Sequence, residues 1–99
     1  MATELWEYLQ KVRALKSRLY PGHFDQAEVL RLIADLDMIF ATDAMSDTKS
    51  YYEEVFHPAL YRIVSGQSSS GLQELREGRA LVTKLMLLIL DEIEGLEAS

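Results

Sequence analysis

Apolar residues recur along this chain at steps of three and four, in four blocks separated by short polar stretches. That period belongs to helices that bury one face. The first block sets Leu5, Leu9, Val12, Leu15 and Leu19 on one stripe and predicts a helix from about Glu4 to Tyr20. Thr3 stands at the expected cap, Glu4 and Glu7 suit the first turn, and Lys16 and Arg18 suit the last. Pro21 and Gly22 end it.

The second block opens on Asp25 as N-cap with Glu28 at the third helical position, flanked by Phe24 and Val29 as a hydrophobic staple. Its apolar face is Val29, Leu32, Ile33, Leu36, Ile39 and Phe40, and the pattern fades between Ala41 and Ser46. The third block starts at Asp47 or Ser50, where Ser50 and Glu53 have capping-box spacing. Tyr52, Val55, Phe56, Ala59, Leu60 and Ile63 form its expected buried face. Pro58 has no N–H to give the Glu54 carbonyl, so this helix should be kinked or broken there. Residues 65–71, SGQSSSG, read as a flexible loop.

The fourth block, from about Leu72 to Leu96, is the most telling. Ser70 and Gln73 match a capping box, and Gly95 stands where a C-terminal cap belongs. Val82, Met86, Ile89, Ile93 and Leu96 follow the 3.5-residue repeat of a coiled-coil seam. Leu81, Leu85 and Leu88 make a second stripe, and Leu87 and Leu90 widen it. Residues 85–90, LMLLIL, are therefore apolar around the whole circumference. A helix of that kind is covered on every side. Either it is the central helix of the bundle or another chain covers its second face. Three short helices can cover only part of it, which makes another chain the leading expectation. Leu87 and Leu90 lie off the seam and are the expected outward pair.

No run of residues alternates as a strand would. The short connections favour antiparallel neighbours, so residues 1–99 should form one all-α domain, an up-down bundle of four helices. At least about 65% of the chain should be helical, because caps, staple and periodicity agree.

Charge narrows the partners. The chain has 10 basic and 16 acidic residues, a net charge of −6, which disfavours nucleic acid and anionic membrane and favours a basic protein partner. Asp91, Glu92, Glu94 and Glu97 gather in the last turns of the fourth helix, where negative charge opposes the helix dipole. Lys11, Arg13, Lys16 and Arg18 gather on the first helix and are candidates to meet those acids in the same or a second chain. There is no cysteine, which removes disulfides, thiolate metal sites and a cysteine nucleophile. No segment reads as a targeting signal, and no apolar run approaches the ~20 residues of a membrane span. The expected location is the cytoplasm.

Two short motifs carry possible chemistry. Glu54 and His57 form an E-x-x-H pair, the spacing that places an oxygen and a nitrogen ligand on one helix face. A di-iron bundle needs two such pairs and two more glutamates, and this chain has one pair. Arg18 and His23 form R-x-x-x-x-H, which resembles the active-site motif of HEPN ribonucleases, small helical dimers. That resemblance implies ribonuclease activity at Arg18 and His23. The family sets the motif at the start of a helix, whereas Pro21 and Gly22 put His23 in a turn. The favoured reading is therefore non-enzymatic, with no cofactor and no metal. It is a homodimeric adaptor, inhibitor or immunity-type protein acting through Leu87, Leu90, Asp91, Glu92, Glu94 and Glu97.

Overall fold

The computed structural model describes residues 2–42, 46–66 and 71–98. Four helices account for 88% of the structure, and there is no strand among the described residues. They are α1 (Ala2–Ser17), α2 (Gln26–Thr42), α3 (residues 46–65) and α4 (Leu72–Ala98). Helix α1 packs on α2 and α4, and α3 packs on the same two neighbours. The result is the expected up-down-up-down bundle, 45 Å along its longest axis.

All five members of the α1 stripe are buried. The helix begins at Ala2, so Thr3 lies inside it and is not its cap. It also ends earlier than Tyr20. After Ser17 the Arg18 and Leu19 amides bond back to the Leu15 and Lys16 carbonyls, which tightens the last turn. The His23 amide then bonds to the Tyr20 carbonyl, with Pro21 second and Gly22 third at φ 84°. Those are the requirements of a type II turn, and the positive φ is one that glycine adopts without strain. Asp25 caps α2 as expected, its Oδ1 accepting from the Ala27 and Glu28 amides.

Helix α3 differs most from its sequence pattern. It starts at Ser46, so Ser50 is interior and not a cap. It neither breaks nor ends at Pro58. Residues Tyr52–Phe56 form a π turn, closed by the His57 amide bonding five residues back to the Tyr52 carbonyl. This turn adjusts the register just ahead of the proline, where the α-helical bond to Glu54 is lost.

The buried set on α3 is Thr48, Tyr52, Phe56, Leu60 and Val64, one residue in every four. In a pure α-helix each step of four overshoots a full turn by about 40°, so such a row drifts around the helix. The wider π turn rotates it back toward the core. The same rotation carries Val55 outward, where it is 46% exposed and not part of the buried face.

Helix α4 begins after Gly71, whose carbonyl accepts the Leu75 amide, and Ser70 lies outside the described residues. Its buried seam is Leu75, Gly78, Val82, Leu85, Ile89 and Ile93. The period is the expected one, but Leu85 takes the place assigned to Met86, and Leu96 is exposed. Gly95 lies within the helix and does not cap it. Gly78 marks a close crossing: a methyl there would stand 3.3 Å from Leu60 Cδ1 and 3.4 Å from Leu19 Cδ1.

Polar ties fix the bundle's ends. Arg79 donates to the Leu19 carbonyl at 2.7 Å and lies over the Tyr20 ring. Gln26 donates to the Val64 carbonyl at 2.9 Å, serving the end of α3. These bonds satisfy carbonyls that helix ends leave without partners.

Candidate functional site

The apolar run on α4 is mostly covered within the chain. Leu85 and Ile89 are buried, and Met86 and Leu90 are half-buried against the core. Leu87 is 56% exposed. The expected outward pair is thus divided: Leu87 faces solvent, while Leu90 faces partly inward. Asp91 and Glu94 are exposed and Glu92 is half-buried, and the Glu97 side chain lies outside the described residues.

Asp91 and Glu92 belong to a shallow hollow of about 360 Å³ between the start of α3 and the end of α4. Asp47, Leu88, Gly95 and Leu96 complete its lining. Its lining thus combines two leucines with three carboxylates. Asp47 enters from α3, more than forty positions away in sequence. Sequence patterning on α4 alone does not reveal it.

A larger arrangement surrounds this hollow. One half of the bundle comprises the starts of α1 and α3 and the ends of α2 and α4. Among the described side chains that half carries Glu7, Asp35, Asp37, Asp47, Glu53, Glu54, Asp91, Glu92 and Glu94 against Lys49 alone. None of these is buried. The other half carries nine bases, including Lys16, Arg18, Arg62, Arg76 and Arg79, against four acids. Alternating helix direction superimposes like charges from distant segments at each end. It also sets Lys16 and Arg18 at the end where Leu19 meets Gly78, far from Asp91 and Glu94. Lys16 and Arg18 therefore do not meet Asp91 and Glu94 in the same chain.

A second cluster lies on the π turn. The Tyr52 hydroxyl is held by the Ile33 carbonyl, at 3.3 Å, and by Asp37 Oδ1. The second oxygen of Asp37 stands 3.4 Å from His57 Nε2. The His57 ring also stacks on Tyr61. Burial first, then the hydrogen bond and negative charge of Asp37, push the Tyr52 hydroxyl pKa well above its usual range. Asp37, Phe40, Tyr52, Glu53 and His57 line an open hollow of about 270 Å³. The E-x-x-H pair is not assembled as a ligand pair, since the carboxylate facing His57 is Asp37 of α2 and Glu54 points to solvent. No three His, Asp or Glu side chains among the described residues are grouped to hold a metal ion.

Arg18 and His23 are both exposed and line one open hollow at the α1–α2 turn, with Ser17, Tyr20 and Pro21. His23 sits in the turn and not on a helix, the position that Pro21 and Gly22 dictate. Among the described residues no helix is long and apolar enough to cross a membrane. No protein-family model, curated protein or solved structure matches the chain.

Proposed function

We propose that this chain is a non-enzymatic protein–protein interaction module of the cytoplasm, an adaptor, inhibitor or immunity-type protein. It presents the α4 surface and the acid-lined hollow beside it to a basic partner and acts as a homodimer. The observation that carries this reading is the segregation of charge. Among the described side chains, nine acids and one base lie in the half of the molecule where Leu88 and Leu96 line the hollow. Such a field attracts a basic surface over distance and disfavours acidic ones. Apolar side chains within it supply the desolvated contacts that hold a partner once docked.

The experiment is affinity capture from the source cell, with wild type and the Asp47→Lys/Glu92→Lys double variant as baits. The expected result is a basic protein retained in salt by the wild type and lost by the variant. No retained protein, or equal retention by both baits, overturns the reading.

A further inference from the structure

The outermost residues of α4 form a second surface, which meets the hollow at Asp91. Ala80, Lys84, Leu87, Asp91 and Glu94 are all exposed and follow one another at steps of four, three, four and three. That spacing keeps them on one stripe along the helix. The stripe changes sign at Leu87, with Lys84 before it and Asp91 and Glu94 after it. Leu87 is its only large apolar member and its centre.

We propose that this stripe is the contact between two copies of the chain, with the α4 helices antiparallel and Leu87 on the two-fold axis. The inference rests on the reading of α4 as an interaction surface and names the occupant of its outer face. Lys84 precedes Leu87 by three residues and Asp91 follows it by four, about 4.5 and 6 Å along the helix. A two-fold axis at Leu87 therefore sets each Lys84 beside the other copy's Asp91, twice over. Leu87 meets Leu87, and Ala80, seven residues before, leaves room for Glu94, seven after. Parallel pairing would set Lys84 on Lys84 and Asp91 on Asp91, which repels. The whole molecule favours the same choice, because antiparallel copies lay the acid-rich half of one beside the base-rich half of the other. A closed two-fold contact uses one patch for both partners. Leu87 thereby gains the cover that the three other helices do not give it.

Sedimentation equilibrium on the purified chain, up to about 500 µM, tests this. The wild type should be mainly dimeric at the top of that range. Lys84→Glu and Asp91→Lys should each weaken the dimer at least about tenfold, and the Lys84→Glu/Asp91→Lys swap should restore it to within about threefold. Both sites are exposed, and matching circular dichroism confirms the fold of each of the three variants. A monomeric wild type overturns the proposal, as do single variants that dimerise normally or a swap that fails to restore pairing. The Asp47→Lys/Glu92→Lys bait leaves this stripe intact, and the pairing is measured on the purified chain alone. A monomeric wild type removes the homodimer from the reading above but not its basic partner, so the two fail separately.

Discussion

Tyr52 shows how one residue couples the core to the surface. Its ring stacks between Phe40 and Phe56, and its hydroxyl reaches the Asp37 carboxylate at the bundle's edge. Ionising that hydroxyl would place a second negative charge beside Asp37 in a buried setting, so the folded state holds the proton. The sign follows directly. The folded pKa lies above the unfolded value of about 10, so the contribution is fully present below that pH. It is lost as pH rises above about 10 and unfolded tyrosine ionises first. Denaturant unfolding from neutral pH to about 11 should show stability falling in the last pH unit. Tyr52→Phe should cost about 1 kcal/mol at neutral pH and fall less steeply above pH 10. Some decline will remain, because burial also raises Tyr51. Parallel alkaline slopes for the two proteins would show that Tyr52 does not drive the loss.

At the scale of elements, two glycines in α4 test opposite reasons for being there. Nothing lies within 4 Å of a methyl placed at Gly95, and its φ is not positive. Gly95→Ala should stabilise by about 0.5–1 kcal/mol through helix propensity alone. Gly78→Leu should destabilise by about 1–3 kcal/mol, because the Leu19 and Leu60 methyls already occupy the space. Thermal melts of the two variants should therefore move in opposite directions, and a shift of the same sign would refute one of the two assignments.

The same helix shows what sequence reveals and what it does not. The stripes of α1 and α2 were readable because one unbroken period places every buried residue. On α3 the period holds only on either side of the π turn. A fixed 3.6-residue phase sends Val55 inward, and the structure sends it outward. Pro58 was the visible signal, but its consequence in space was a change of register and not a break. On α4 the period was right and the choice between Leu85 and Met86 was not. Both are apolar, and only the position of α1 and α3 decides between them.

The charge pattern belongs to the whole molecule and was not legible at either smaller scale. Read along the chain, acids and bases fall in short runs of like sign, Lys11 to Arg18 and Asp35 to Asp47 among them, and no single run shows which others it will join. Folding back and forth sorts them, because each reversal brings the acidic end of one helix beside that of the next. Within one chain, Lys16 and Arg18 do not meet Asp91 and Glu94, for this topological reason. The arrangement works against stability. The acids of the acid-rich half repel one another, and those near the end of α4 oppose its dipole. Repulsion acts between near neighbours, whereas attraction between the two halves acts across the length of the bundle, so screening relieves more than it removes. Raising salt from about 20 to about 200 mM should therefore raise the melting temperature of dilute protein. Glu94→Lys should raise it further, by about 0.3–1 kcal/mol of stability, and flatten the salt dependence. A melting temperature that falls with salt would mean attraction between the halves dominates. Stabilisation by Glu94→Lys would mean that the acidic surface is maintained at a cost to folding, as a surface kept for binding is.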